Sequence, residues 1–250
     1  MYELYYWPIG PGRGEFARLL MEEAEVPYID VARTPEAEGG GVQCLYPFIH
    51  GQADGFPALA PPILKAGELV VAQAANICQF LARRHGLIPA DEAGQAAVNQ
   101  LQLTIADFIS EIHDTHHPTS VTIAYEEQRA AAKRRSEYFV KSRLPKFLGY
   151  FERVLSYGGD DAGDRERYLV GAELSYADLS LGFVLDGLAH AFPNALAAVA
   201  GASPGVFELA ERVRARPRVS AYLASERRMA FTQQGIFRRY PELDLASPSS

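Results

Sequence analysis

Every strand-like segment of this 250-residue chain lies before residue 72, and helical periodicity takes over after Pro89. That asymmetry predicts a small α/β module followed by an all-helical one. Tyr2 to Trp7 is short, aromatic-rich and closed by Pro8 and Gly10, which predicts a strand. Gly10-Pro11-Gly12 turns the chain, and Glu15 to Ala24 then puts Phe16, Leu19 and Leu20 on one helical face. Val26 to Val31 predicts a second strand. Residues 34–58 are rich in Gly, Pro and Ala, so loop or irregular helix is expected there. Ile63-Leu64-Lys65 and Glu68-Leu69-Val70-Val71 flank Ala66-Gly67, a two-residue hairpin signal. A helix over 72–85 stops at Gly86. The predicted order is β-α-β-(loop/α)-β-β-α.

Beyond Pro89, helices are expected over 91–116, 124–156, 175–190, 204–215 and 217–228, with Pro145 kinking or dividing the second. Ser203-Pro204 is an N-cap followed by proline at the first helical position. Leu174-Ser175-Tyr176-Ala177-Asp178-Leu179 predicts a capping box, with Leu174 meeting Leu179 as a staple. Gly158 to Asp164 reads as a surface loop and Ala246 to Ser250 as a disordered tail.

Charge and cysteine narrow the function classes. Lys and Arg number 24 against 31 Asp and Glu, a formal charge of −7. An acidic chain argues against nucleic acid or an anionic membrane as the main partner. Two cysteines, Cys44 and Cys78, cannot make a disulfide framework and fit a reducing compartment. With no basic leader and no run of about 18 apolar residues, a cytoplasmic protein without a membrane segment is expected.

Gly10-Pro11-Gly12-Arg13-Gly14 imitates a dinucleotide fingerprint. The spacing is one residue short, and the helical second half lacks the further parallel strands. The turn still opens a helix N-terminus, which attracts an anion or a thiolate. Tyr6 closes the first strand at that point. A phenol there can donate its hydrogen to a thiolate and favour the ionised form. The plain alternative is that Tyr2, Tyr5 and Tyr6 are ordinary strand residues. Pro61-Pro62 precedes the hairpin, and a cis bond there would turn backbone groups toward an extended peptide. His113 and His117 are i,i+4 on a helix, but no distant ligand accompanies them. Pocket lining, or a polar helix end before Pro118, is expected there, with no metal. Arg227-Arg228 and Arg238-Arg239 read as solvated basic residues, and Phe231 to Leu243 is expected to pack over a pocket mouth.

Four of these pieces in order carry a resemblance. They are Tyr5-Tyr6-Trp7-Pro8 leading to Gly12-Arg13-Gly14-Glu15, then Pro61 to Leu69, then Gln73-Ala74-Ala75-Asn76-Ile77 with Phe80-Leu81-Ala82, and the capping box at Ser175. From about residue 2 to residue 225 the chain resembles the tyrosine-type cytosolic glutathione S-transferase family. The resemblance implies an α/β plus all-α fold class: a thioredoxin-like glutathione-binding domain over 1–85, an all-helical domain with an electrophile pocket over 91–228, and a tail over 229–250. It implies a transferase that adds the glutathione thiolate to small hydrophobic electrophiles. The alternatives are a glutathione-dependent isomerase or reductase on the same fold, or a non-catalytic hydrophobic-ligand carrier.

Carried over by position, Tyr6 would stabilise the thiolate, with Arg13 supporting the charge around it. Trp7, Pro61, presumed cis-Pro62, Gln73 and Ala74 would hold glutathione, with Asp107 reaching the neighbouring subunit's ligand in a homodimer. Ile9, His113 and His117 would line the electrophile pocket. The chain departs from the family pattern in three places. Ala74 replaces a common serine, Pro61 has no N–H, and an extra residue in Trp7 to Pro11 leaves Tyr5 as the alternative to Tyr6. Each lost hydrogen bond costs about 0.5–1.5 kcal/mol, so the first two imply glutathione binding weaker by roughly tenfold to a hundredfold.

Overall fold

The computed structural model describes residues 1–157 and 167–246; the surface loop expected at 158–164 and the last four residues of the tail lie outside them. The chain divides into two units, residues 1–88 with 214–230, and residues 89–213 with the chain from 231 onward.

The first unit holds β1 (Tyr2–Tyr5), α1 (Glu15–Glu23), β2 (Tyr28–Asp30), α2 (Tyr46–Ile49), β3 (Ile63–Ala66), β4 (Leu69–Ala72) and α3 (Ala74–His85). The sheet order is β2-β1-β3-β4, with β1 parallel to β2 and β3 antiparallel to both β1 and β4. This is the thioredoxin-like arrangement, a βαβ crossover followed by a hairpin and a helix. Alternation along each strand sorts side chains to two faces. Leu4 and Leu64, paired across β1 and β3, are fully buried, as are Leu20 of α1 and Ile77 and Leu81 of α3. Tyr5 instead joins Phe48, Ile63 and Val70 in a separate cluster with Ala53, Ala58 and Ala72.

Local detail agrees with expectation over 34–58 and departs from it at the hairpin. Residues 34–58 form short 3-10 turns at Glu36–Glu38 and Val42–Leu45 before α2, the irregular helix anticipated from composition. The hairpin turn sits one residue later than expected. Ala66 pairs with Leu69, leaving Gly67-Glu68 as the turn with Gly67 at φ +68° in the position that requires it.

The second unit is helical: α4 (Glu92–Asp114), α5 (Tyr125–Tyr138), α6 (Leu144–Ser156), α7 (Tyr176–Ala191), α8 (Pro193–Ala200) and α9 (Pro204–Ala215), whose last two residues belong to the first unit. α7 packs on α4 and is buried along most of its length. The helix expected over 124–156 is divided by a π-helical turn at Phe139–Arg143. Pro145 lacks an N–H and its ring excludes the carbonyl four residues earlier, so a wider turn absorbs the mismatch. Phe108 of α4 stacks on Phe147 of α6 at 4.3 Å between centroids and approaches Phe139 at 6.1 Å. Asp178 at the start of α7 accepts hydrogen bonds from the Ser175 N–H and hydroxyl at 2.7 Å each, and from the Leu169 N–H at 2.8 Å.

The sequence did not flag α8. Its first N–H groups, those of Asn194 and Ala195, donate to the Asp244 carboxylate at 2.9 Å each. Residues of the expected tail therefore complete the helical unit. Ile236, Phe237 and Leu243 are buried, and Tyr240 stacks on Tyr125 at 3.7 Å. Among the described residues no helix is long and apolar enough to cross a membrane.

Residues 214–230, placed by sequence with the helical module and its tail, return to the α/β unit through α10 (Pro217–Leu223), which packs on α1. The reason is charge. Arg18 is wholly buried and donates through Nε to Asp30 at 2.7 Å and through Nη1 to Glu15 at 3.2 Å. Glu15 also accepts from the Tyr222 hydroxyl at 3.0 Å and pairs with Arg228 at 3.1 Å. Arg216 binds Glu23, Arg218 pairs with Glu25, and Arg227 pairs with Glu22. Arg227 and Arg228 are thus ion-pair partners of α1 and not merely solvated ends.

Breaking a buried pair from one side leaves an uncompensated charge. Arg18→Met is expected to lower unfolding free energy in urea by about 3–5 kcal/mol. Arg218→Gln, at an exposed pair, should change it by less than about 1 kcal/mol.

Candidate functional site

β1, β3 and β4 bring the predicted residues to one end of the sheet. Tyr5 pairs with Ile63, and Ile63 pairs with Ala72. One step outward from that row stand Tyr6, Pro62 and Gln73. The Pro61–Pro62 peptide bond is cis, as the sequence suggested. Gln73 sits at φ +70°, outside the usual range for a side-chain-bearing residue, and begins α3 as its N-cap. No side chain caps α3, and the amide of Ala74 belongs to its first turn. An uncapped first turn presents N–H groups and a partial positive charge, suited to a carboxylate. Ala74 supplies no hydroxyl and Pro61 no N–H, so both departures hold at the level of the groups available.

Tyr6 is buried against the turn that follows it. Its hydroxyl oxygen accepts the Arg13 backbone N–H at 2.8 Å. The ring leaves no room for side chains on the turn. A Cβ on Gly12, which sits at φ +48°, would stand 2.2 Å from the Tyr6 hydroxyl, and one on Gly14 would stand 2.6 Å from the ring. The two glycines of the turn that imitates a dinucleotide fingerprint are therefore a cradle for an aromatic ring. The Arg18 guanidinium carbon lies 5.7 Å from the Tyr6 ring centre, and its Nη1 donates to the Pro11 carbonyl at 3.1 Å, bracing the turn from beneath.

These contacts set the chemistry of the phenol. Burial raises its pKa, and the Arg13 N–H together with the charges of Arg13 and Arg18 offsets part of that rise. The group stays protonated at neutral pH. It accepts one hydrogen bond, and among the described residues its own hydrogen meets no acceptor. It is a hydrogen-bond donor polarised by the bond it accepts. Tyr5 is engaged elsewhere: its hydroxyl donates to Glu3 at 2.8 Å and its ring packs on Phe48 at 4.8 Å. Alternation along β1 thus separates the two tyrosines. Trp7 and Arg13 are half-buried beside the turn and Ile9 is exposed.

In the second unit, Asp107 is exposed on α4. His113 ends that helix, and His117 lies just beyond it, 7% exposed. The predicted pair is part of a trio. His116, 1% exposed, places Nδ1 2.6 Å from His117 Nδ1 and Nε2 2.7 Å from the Ile236 carbonyl. Burial pushes the His116 pKa down to about 3, and His117 is lowered by burial and by the Arg238 charge. The run His113-Asp114-Thr115-His116-His117 is visible in the sequence, but His116 was not carried into the site, because its partner lies 120 residues away. It also left Arg18 unplaced, although Glu15 and Arg18 at i,i+3 were a visible signal of pairing.

A family model described as "Glutathione S-transferase, C-terminal domain" matches residues 113–226. The chain is 25% identical over 228 residues to glutathione S-transferase P 1 of Xenopus laevis, covering 91% of this chain and 93% of that one. It is 25% identical over 195 residues to a glutathione S-transferase of Plasmodium falciparum, covering 77% and 82%. The structure of an Onchocerca volvulus Pi-class glutathione S-transferase aligns with a TM-score of 0.65 at 23% identity, covering 88% and 91%, a likeness of fold. Over most of its length the chain is similar to glutathione S-transferases, and residues 113–226 match the C-terminal domain of that family. Within a glutathione S-transferase fold, the end of the sheet that gathers Tyr6, Pro62 and Gln73 is the natural candidate site, because it combines an unspent phenol hydrogen with an uncapped helix start.

The cradle gives a test that does not depend on activity. Gly14→Ala forces a methyl group into the Tyr6 ring, whose Cβ is fixed by β1. It should lower unfolding free energy by about 1–3 kcal/mol in chemical denaturation. An unchanged midpoint would remove the close approach from the account.

Proposed function

We propose that the chain is an enzyme that conjugates glutathione to small hydrophobic electrophiles, with Tyr6 activating the thiol. The observation that carries this reading is the Tyr6 hydroxyl, which accepts the Arg13 N–H and keeps its own hydrogen for a further acceptor. A thiolate placed there gains a hydrogen bond that the neutral thiol does not, so the bound thiol ionises more readily. The thiol proton leaves to solvent. With a haloaromatic substrate the sulfur attacks the ring carbon, a C–S bond forms, and the carbon–halogen bond breaks with loss of halide.

The tripeptide would lie along the end of the sheet. Its γ-glutamyl carboxylate would meet the first turn of α3 at Gln73 and Ala74. Its cysteinyl amide would meet the Pro61 carbonyl beside cis-Pro62, with Trp7 and Arg13 flanking it. Ile9 would contribute apolar surface to the electrophile. His113 and His117, the other pocket residues carried over from the family, touch one another and His116. Their place in the pocket rests on the resemblance alone.

Tyr6→Phe removes one charge-assisted hydrogen bond, about 1.5–3 kcal/mol. The turnover of a haloaromatic substrate should fall roughly tenfold to a hundredfold. The sign for pH follows directly. The bond depresses the bound thiol pKa, so its loss moves the rising limb of the pH–rate profile up toward the free-thiol range near 8.5. Tyr5→Phe should leave that limb in place. A Tyr6→Phe enzyme with wild-type rate and profile would end the proposed role. A wild type that binds glutathione but conjugates nothing would favour the carrier.

We further propose a homodimer, in which Asp107 reaches the partner's ligand. Phe56 and Leu59 are 83% and 86% exposed on the loop before β3, a pair of apolar side chains that an interface would cover. Light scattering should give a dimer for the wild type and a monomer for Phe56→Asp. A monomeric wild type would remove the dimer, and the trans role of Asp107 with it.

A further inference from the structure

We propose that His113, His116 and His117 form a binding site for a borderline divalent transition-metal ion, zinc being the representative. One ligand atom from each of the three lies within 4.8 Å of the others. The backbone fixes them in one turn. The N–H groups of His116 and His117 both donate to the His113 carbonyl, at 3.3 Å and 3.2 Å. The trio is therefore organised by the end of α4, before any ion arrives.

The tautomers point the same way. A carbonyl can only accept, so the 2.7 Å contact from His116 Nε2 to Ile236 O puts the hydrogen on Nε2. Nδ1 of His116 then presents a bare lone pair, and it faces His117 Nδ1 at 2.6 Å. In the metal-free chain one hydrogen, on His117 Nδ1, bridges the two rings. A metal ion takes the place of that hydrogen, which moves to His117 Nε2, so both imidazoles bind as neutral ligands. A histidine that ligates through one nitrogen and donates through the other to a backbone carbonyl is the usual outer-shell arrangement of a metal site.

Two imidazole nitrogens on a tetrahedral zinc ion, each about 2.0–2.1 Å from it, stand about 3.3 Å apart. The His116 and His117 rings must therefore separate by less than about 1 Å. His113 is the most exposed of the three and gives the ion its route in. Three imidazoles with no sulfur or hard oxygen ligand suit zinc, copper or nickel and not calcium or magnesium. The fourth position is left to water.

Nearby charges act in opposite directions. Asp114 Oδ1 lies 3.9 Å from His113 Nδ1 and favours a cation. Arg238, whose Nε donates to the Gly235 carbonyl, acts on both His116 and His117 and opposes one. Ile236 and Arg238 belong to the same C-terminal stretch. An ion bound here also secures the residue that His116 holds in that stretch.

The test is calorimetric titration of the full chain, carrying no affinity tag, with zinc chloride. One ion per chain is expected, with a rise in thermal midpoint as zinc concentration increases. His113→Ala and His117→Ala should each weaken binding by tenfold or more, and Arg238→Gln should tighten it. Cys44→Ser should change nothing. If His117→Ala fails to fold, His113→Ala, at the most exposed of the three, carries the comparison. Absence of stoichiometric binding overturns the proposal, as does wild-type affinity in His113→Ala.

Discussion

The burial of Arg18 is the constraint on which the first unit depends. A guanidinium removed from water must be surrounded by acceptors, and three parts of the chain supply them. The Pro11 carbonyl comes from the turn, Glu15 from α1 and Asp30 from the end of β2. Satisfying one charge therefore fixes how the turn, the helix and the edge strand meet. Glu15, committed to Arg18, must in turn be satisfied on its other oxygen, and Tyr222 and Arg228 do so. That second demand explains why residues 214–230 leave the helical unit. The Tyr6 phenol lies on the turn that this network holds, so its position is a consequence of charge pairing as well as of ring packing.

Local chemistry was legible in the sequence and long-range chemistry was not. The β-α-β-(loop/α)-β-β-α order, the capping box at Ser175, the cis bond at Pro62 and the break near Pro145 each arise from residues within a few positions of one another. By contrast, α8 was missed because its first amides are capped by Asp244, about fifty residues on, and Ala-rich Asn194 to Ala200 carries little amphipathic pattern of its own. Arg227 and Arg228 were read as solvated because a basic pair in sequence says nothing about carboxylates 200 residues earlier. Gly12 and Gly14 were visible, but their purpose was not, since the need for glycine comes from a ring on another element.

The thiol chemistry of the chain follows from where its own cysteines sit. Cys78 is fully buried in α3 and its pKa is pushed up to about 12, and Cys44 is raised by burial and by the Asp30 charge. A thiol held neutral is a poor nucleophile at physiological pH. The groups suited to an ionised sulfur lie instead at the end of the sheet, where the Tyr6 phenol and the uncapped start of α3 stand.

The C-terminal residues make the complementary point for the second unit. Asp244 caps α8, Tyr240 stacks on Tyr125 and the Ile236 carbonyl takes the hydrogen of His116. Each contact satisfies a group that the helices leave incomplete. The last of them has an effect beyond packing. By holding the hydrogen on Nε2, the Ile236 carbonyl decides that His116 turns the bare lone pair of Nδ1 toward His117.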